Sequence, residues 1–143
     1  MHFTFEAMGT VLDIRIWDKT STIIGEKIKH EVLDFTSNYD ATYSRFKTNS
    51  LISQLSKTSG LVKVPQQLVE MLQIYKILNQ ITPSVNPLVG NTLSDLGYDS
   101  MYSLKKKQVV RQVPDFSLLQ IRSEDQIELL AQDLLIDVGA VGK

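Results

Sequence analysis

The sequence lacks cysteine, has only two histidines and contains no long apolar run. Without cysteine, the chain can form no disulfide or thiolate metal site, and it has no cysteine nucleophile. His2 and His30 have no partner at a spacing typical of catalysis or metal binding, so we do not expect a histidine-based site. No stretch has the length that a membrane-spanning helix requires.

The first residues lack the basic and apolar regions of a signal peptide. We therefore expect a cytoplasmic protein, or a protein of the cell envelope if a leader has been removed. Excess positive charge is missing too, because the formal net charge is −1. The one basic cluster, Lys105 to Lys107, is expected to lie in a solvated loop. This balance does not favour nucleic-acid binding.

What is present is typical of a globular domain: 143 residues, of which 43% are hydrophobic. Apolar residues alternate from Phe3 to Ala7 and again from Leu12 to Ile16, but in opposite phase. Such a switch requires an irregularity, and Met8-Gly9-Thr10 lies where it occurs. We predict a bulge or sharp turn at this point, which a plain hairpin would also explain.

Helical spacing of apolar residues predicts three helices in the first two thirds of the chain. The first covers residues 22–39, the second begins at the cap residue Asn49, and the third runs from Pro65 to Thr82. One or two helical turns are expected within residues 88–96. The apolar faces of the second and third helices are predicted to comprise Leu51, Ile52, Leu55, Leu68, Met71, Leu72, Tyr75, Leu78 and Ile81.

The last third of the chain indicates strands. Alternating apolar residues predict strands around Leu119 to Ile121 and Ile127 to Ala131, with a third strand from Leu134 to Val138. Polar turns separate them. Together with the helices, this pattern predicts an α+β fold in which helices pack on an antiparallel β-sheet.

The sequence ends in a turn of small residues, Gly139-Ala140-Val141-Gly142-Lys143. It is not a P-loop, because position 137, where that motif requires glycine, is Asp137. Small residues allow close backbone approach, and Lys143 adds positive charge, so the turn could meet a metal or a phosphate. An ordinary strand-to-helix connection capped by Asp137 would explain the same residues.

Four segments, taken in order, resemble the ApbE family of flavin transferases. They are "AMGT" at 7–10, "SRFKTNSLISQLS" at 44–56, "VNPLVGNTLSDLGYD" at 85–99 and "IDVGAVGK" at 136–143. The resemblance implies an FAD:protein FMN transferase, a family formerly described as thiamine biosynthesis lipoproteins. Such an enzyme uses Mg²⁺ to transfer FMN from FAD to a Thr or Ser hydroxyl of a target flavoprotein, and it releases AMP.

The resemblance also implies site residues. Those expected to bind FAD are Met8, Phe46, Ser84, Val85, Asn86, Asp137 and Lys143. Ala140 occupies the position whose backbone carbonyl binds magnesium. Four residues depart from the family pattern. Asn86 replaces the family's usual aspartate, Leu88 its threonine, Leu96 its tryptophan and Phe46 its tyrosine. Phe46 could stack on a ligand ring, or it could be an ordinary core residue.

Family members are much longer than 143 residues. We therefore expect residues 1–143 to be the N-terminal part of a single ApbE-like domain, with an incomplete sheet and the catalytic residues in a part beyond it. An unpaired sheet edge among strands 119–138 would favour a homodimer. Two alternatives to the enzyme are a non-catalytic FAD-binding module and a degenerate scaffold that has lost the ligand.

Overall fold

The computed structural model describes residues 1–17 and 21–142. Contacts divide the chain into two compact units, Met1–Ser44 and Arg45–Lys143. The expected fold class is confirmed, because each unit combines helix with antiparallel strands. No helix within the described ranges combines the length and apolar character needed to span a bilayer. The assignment of residues 1–143 to a single domain stays a prediction.

The first unit begins with a β-hairpin. Strand β1, His2–Ala7, pairs with β2, Thr10–Arg15, in antiparallel register. Met8 and Gly9 form the two-residue turn, and both have positive φ, 52° and 71°. This backbone matches the twist of the flanking strands, so the plain hairpin is the right explanation. Phe5 and Leu12 are opposite each other in the two strands. The alternating apolar residues of both strands therefore lie on the same face of the hairpin, although their phases in the sequence are opposite.

A long helix completes this unit. Helix α1, Thr22–Tyr43, begins at Ser21, whose Oγ accepts a hydrogen bond from the Ile24 N–H at 3.4 Å. It continues four residues beyond the predicted end at residue 39. Tyr39 and Tyr43 are one helical turn apart with ring centres 4.9 Å apart, and this contact supports the additional turn.

The second unit contains a three-stranded antiparallel sheet. Its strands are β3 (Gly60–Lys63), β4 (Leu119–Ser123) and β5 (Gln126–Leu129), in the spatial order β3-β5-β4. The central strand is the most buried, and the Ile127 and Leu129 side chains lie in the core. The strands predicted around Leu119 and Ile127 are therefore confirmed.

This unit also contains two helices, of which the second along the chain packs on strands β4 and β5. Helix α2, Leu51–Leu55, is capped by Ser50 rather than Asn49, because the Ser50 Oγ accepts from the Ser53 N–H at 3.1 Å. Helix α3, Gln66–Ile81, follows Pro65 and ends at Thr82, as predicted. Its core residues are Leu68, Val69, Met71, Leu72 and Tyr75.

The predicted apolar face of α3 is wrong in its last turn. Leu78 is 37% exposed and Ile81 is 75% exposed. The helix is thus covered only along its earlier turns, which contain all of its buried residues. Helical periodicity identifies the apolar side of a helix, but it does not show how far the packed neighbours extend along it.

Short helical segments connect the sheet strands. A 3₁₀ turn at Pro87–Val89 leads into α4, Gly90–Asp95, which confirms the helical turns predicted within residues 88–96. A second 3₁₀ turn, Phe116–Leu118, precedes β4. The last described helix, α5, covers Gly139–Gly142.

The third strand, predicted from Leu134 to Val138, is wrong. Within the described residues this segment joins no sheet, although Leu134, Ile136 and Val138 are buried in the core. Its backbone bonds to the segment that begins α4 instead. The Gly90 N–H donates to the Leu135 carbonyl at 3.1 Å, and the Asp137 N–H donates to the Pro87 carbonyl at 2.7 Å.

Candidate functional site

A buried arginine lies at the centre of the second unit's candidate site. The Arg45 side chain is only 3% exposed, and its Nε donates to Oδ2 of Asp137 at 2.6 Å. Nη1 donates to the Ser94 Oγ at 3.0 Å, and Nη2 donates to the Tyr98 carbonyl at 2.7 Å. A buried guanidinium needs such acceptors to offset its loss of water. One side chain therefore joins three separate segments of the sequence.

Asp137 links this arginine to the turn of small residues. Its Oδ1 accepts from the Gly139 N–H at 2.7 Å and thereby caps α5. The Tyr75 hydroxyl donates to the Asp137 carbonyl at 2.9 Å and accepts from the Ala140 N–H at 3.2 Å. Both carboxylate oxygens are thus engaged within the chain. Asp137 therefore caps the start of α5, although the segment before it is not a strand, and its contact with FAD stays a prediction.

Two aromatic rings, Phe46 and Tyr98, lie against Arg45, and the Tyr102 ring packs on both; we call these three residues the ring cluster. Their ring centres are 5.3 to 5.5 Å apart in pairs. The Arg45 guanidinium carbon lies 4.2 Å from the Phe46 ring centre and 4.9 Å from that of Tyr98. Such contacts stabilise both the cation and the rings. Phe46 is half-buried, so it is not an enclosed core residue.

The predicted residues Ser84 and Val85 lie in the turn that follows α3. Ser84 is exposed, and the Val85 N–H donates to the Thr82 carbonyl at 2.9 Å. The Asn79 side-chain amide donates to the carbonyls of Pro83 and Val85 at 3.1 and 2.9 Å. These bonds fix the backbone immediately before Asn86.

Asn86 has a structural role at a position where the resemblance implies an aspartate. Its Oδ1 accepts from the Leu88 N–H, and its Nδ2 donates to the Pro114 carbonyl, both at 2.9 Å. An ionised aspartate could accept the first bond but could not donate the second. Because Pro87 bonds to the Asp137 N–H, Asn86 lies next in sequence to a residue that contacts the Asp137 backbone.

A second buried charge holds the loop that follows α4. Asp95 is 2% exposed and accepts from Arg111 Nε at 2.7 Å and from Lys107 Nζ at 2.8 Å. Hydrogen bonds from Arg111 and then from Lys107 hold the pKa of the Asp95 carboxyl well below its usual range. The basic cluster is therefore not uniformly solvated, because Lys107 is an ion-pair partner of Asp95.

Comparison with known proteins decides the family. The ApbE family model matches residues 8–143. The chain belongs to the ApbE family. The flavin transferase ApbE from Vibrio cholerae superposes with a TM-score of 0.81 at 16% identity, covering 100% of this chain and 49% of that one. The apo flavinyl transferase ApbE from Pseudomonas stutzeri gives 0.75 at 16% identity, covering 99% of this chain and 50% of that one.

These ApbE structures share the fold of the present chain, which spans about half of their length. The comparison with curated protein sequences finds no match. The family resemblance seen in the four sequence segments is confirmed, since the matched range begins at Met8 and includes all the predicted site residues. Their individual contacts with FAD or magnesium stay predictions.

The structure brings some of the ApbE motif residues together. Phe46 and Asp137 both contact Arg45, and Asn86 adjoins the residue that bonds to Asp137. Met8 lies in the hairpin turn of the first unit. Lys143 lies outside the described residues. Ala140 is exposed in the first turn of α5.

Sequence reasoning missed the residues that organise this site. They are Arg45, Tyr75, Ser94, Asp95, Tyr98, Tyr102 and Arg111. Arg45 carried one available signal, because it adjoins Phe46 inside a motif segment and is the only cation among residues 40–46. The polar roles of Tyr75 and Asp95 carried no comparable signal, since each depends on a contact with a distant part of the chain.

Proposed function

We propose that this protein is an FAD:protein FMN transferase whose second unit, Arg45–Lys143, binds FAD. FMN is transferred from FAD to a Thr or Ser hydroxyl of a target flavoprotein, in a magnesium-dependent reaction that releases AMP. Family membership supports the reaction class. The observation that carries the proposal is Arg45, because its contacts join three of the four segments that resemble the family.

The ring cluster supports the binding of a planar ligand. Phe46 and Tyr98 are held against the Arg45 guanidinium, and the Tyr102 side chain is 48% exposed. Stacking of a flavin or adenine ring on such a surface contributes about 1 kcal/mol beyond the area that it buries. Holding these rings in place before the ligand arrives lowers the entropy cost of binding.

The capped turn supports an approach of the pyrophosphate to the backbone. Asp137 fixes the start of α5, where Gly139 and Ala140 present little side-chain bulk. We infer that Asp137 acts mainly as a positioning residue in this turn. The Tyr75 hydroxyl reinforces it from the Ala140 side.

The described part of the chain does not provide a complete set of magnesium ligands. No group of three His, Cys, Asp or Glu side chains there could hold a metal ion. When bound, the ion neutralises pyrophosphate charge and stabilises the leaving phosphate oxygens. Among the predicted site residues, only the Ala140 carbonyl is proposed as a ligand, so we derive no step through the ion.

The partners of the proposed enzyme are FAD and a flavoprotein that accepts FMN. A homodimer is a further part of the proposal. In the order β3-β5-β4, strands β3 and β4 have one neighbour each among the described strands. Such edges favour pairing with a second chain. Static light scattering that gives the monomer mass at every concentration would contradict the dimer.

Calorimetric titration with FAD and FMN, with and without Mg²⁺, tests the binding site. We expect FAD to bind more tightly than FMN, because its second phosphate and adenine add contacts. Phe46→Leu should weaken FAD binding about fivefold, from the loss of one ring contact of about 1 kcal/mol. Phe35→Leu is the matched control, since Phe35 is 60% exposed in the first unit. Equal weakening by both substitutions would contradict the assignment.

Turnover is tested separately, by measuring AMP release from FAD in the presence of Mg²⁺ and candidate acceptor flavoproteins. A second candidate function is a flavin-binding module without transferase activity. The structural use of the Asn86 amide favours it, because the family's carboxylate is lost at that position. FAD binding without AMP release would select the module, and a folded protein that binds no flavin would select the degenerate scaffold.

A further inference from the structure

We propose that residues 99–107, here called the lysine loop, form a contact site for an anionic membrane surface. This inference does not depend on the transferase proposal. The loop follows α4 and presents large apolar side chains to solvent. Met101 is 84% exposed and Leu104 is 79% exposed. Both values are high for residues that normally prefer burial.

The loop is a built turn rather than a loose connection. The Asp99 Oδ1 accepts from the N–H groups of Met101 and Ser103 at 3.0 and 3.1 Å. Its Oδ2 accepts from the Ser103 hydroxyl at 2.6 Å. The Leu104 N–H donates to the Gly97 carbonyl at 3.0 Å. These bonds hold Met101 and Leu104 outward in one arrangement.

The backbone of this turn is also unfavourable for its residues. Tyr102 and Leu104 have φ values of 48° and 51°, in the left-handed region that costs free energy for side chains of this size. Leucine is thus held exposed in a conformation that it avoids. Strain of this kind is retained where the surrounding contacts impose it, and it is often associated with function.

Both ends of the lysine loop are anchored to the second unit. The Tyr102 ring packs on Phe46 and Tyr98, with centres 5.4 and 5.5 Å away. At the other end, the Lys107 N–H and ammonium group donate to the backbone and side chain of Asp95, each at 2.8 Å. Met101, which directly precedes the first anchor, and the residues between the two anchors are the part available to a surface.

The charge of the loop fits an anionic surface. Lys105 and Lys106 are exposed, and no described carboxylate forms an ion pair with either. Their charges stand out in a chain whose formal net charge is −1. Lysines beside exposed apolar side chains suit the boundary between anionic headgroups and acyl chains.

The arrangement favours a lipid surface over an acidic protein. Protein interfaces concentrate binding energy in anchors that fill packed pockets. Met101 and Leu104 instead are almost fully exposed to solvent. Interfacial lipids accept such side chains without a matching cavity, and the adjacent lysines can remain at the headgroup level.

The test is co-sedimentation of the full chain with phosphatidylcholine vesicles, with and without phosphatidylglycerol. We expect binding that requires the anionic lipid and weakens with salt. Lys105→Glu combined with Lys106→Glu should reduce the affinity at least tenfold. The matched control combines Lys57→Glu with Lys76→Glu, which changes the net charge equally at exposed positions elsewhere in the unit. Equal loss in both double variants would overturn the site.

The apolar contribution is tested by combining Met101→Ser with Leu104→Ser, after circular dichroism has shown that the variant folds. We expect binding to anionic vesicles to weaken severalfold, although no charge has changed. An unchanged affinity would overturn the insertion of these side chains. Competition by soluble glycerophosphate would indicate a site for free phosphate, and the absence of binding to anionic vesicles at low salt would overturn the proposal as a whole.

Discussion

Arg45 and Asp137 form a 2.6 Å ion pair across 92 positions of sequence. The arginine is almost completely buried, whereas the Asp137 side chain is 17% exposed. Buried pairs of this kind offset the desolvation of both charges only when further hydrogen bonds complete them. Here Ser94, the Tyr98 carbonyl and the Gly139 N–H supply those bonds. The pair is therefore the structural centre of the candidate FAD site.

Arg45→Met should destabilise the protein by about 3 kcal/mol, because Asp137 loses its counter-ion and two further acceptors lose their donor. Urea unfolding followed by circular dichroism measures the change. Arg15→Met is the control, since Arg15 pairs with Asp13 at an exposed position of the hairpin. We expect the control to change stability much less, because solvent screens an exposed ion pair. Similar losses in both variants would contradict the role of Arg45.

Asn86→Asp, which restores the family's usual residue, should destabilise this protein by about 1 to 3 kcal/mol at neutral pH. The new carboxylate would lose the bond to the Pro114 carbonyl and place two acceptors against each other. Thermal unfolding of the variant and of the parent protein measures the difference in stability. Asn49→Asp makes the same chemical change at an exposed position and should be nearly neutral. An Asn86→Asp variant more stable than the parent would show that the Asn86 amide has no structural role.

Gly97→Ala should cost more stability than Gly60→Ala. Both glycines have positive φ, 100° and 89°, so both substitutions strain the backbone by about 1 kcal/mol. A Cβ at Gly97 would also lie 2.5 Å from the Lys105 nitrogen, whereas a Cβ at Gly60 meets nothing within 4 Å. The difference between the urea unfolding midpoints of the two variants measures the cost of this steric contact at position 97. Equal midpoints would show that the loop relaxes around the added methyl group.

Asp95→Asn should lower the free energy of unfolding at pH 7. In acid, the free energies of unfolding of the variant and the parent should become more similar. The folded pKa of Asp95 lies below its ordinary value of 3.8, owing first to Arg111 and then to Lys107. The contribution is therefore complete above pH 3.8 and is lost as the pH falls through the lower folded pKa. Urea unfolding at pH 7 measures the complete contribution, and urea unfolding at pH 3 measures it within the range where it declines.

Asp125→Asn is the control for the acid dependence. The pKa of Asp125 is also lowered, first by the Ser123 hydroxyl and then by Lys63, but its side chain is 40% exposed. Screening by solvent should make its effect on stability smaller than that of Asp95. A pH-independent difference between Asp95→Asn and the parent would contradict the ion-pair explanation.

Local patterns predicted most of the secondary structure. The start of α3 was predicted from Pro65, and its end from Thr82. Proline geometry and the end of the apolar spacing are local features that affect only neighbouring residues. The hairpin followed from the phase change around Gly9. In both cases, the deciding interactions lie within a few positions of one another, so the sequence contains the necessary information.

Other features depend on distant contacts and could not be derived in this way. Leu134, Ile136 and Val138 are buried, but burial does not reveal whether a backbone bonds to a strand or to a turn, and the predicted third strand was therefore wrong. Likewise, the motif match identified Phe46 and Asp137, while Arg45, which contacts both, matches no pattern of spacing. Its role is defined by partners in segments far along the chain.

The order β3-β5-β4 has a consequence for synthesis on the ribosome. The central strand, Gln126–Leu129, is the last of the three to be made, so β3 has no strand to pair with until nearly half of the chain has followed it. Until then, the apolar residues of α3 lack the sheet that covers them. Non-local pairing of this kind slows folding and prolongs the exposure of apolar surface. A nascent chain halted before residue 126 would therefore depend on chaperones, whereas the β1–β2 hairpin, with its two-residue turn, can form as soon as residue 15 emerges.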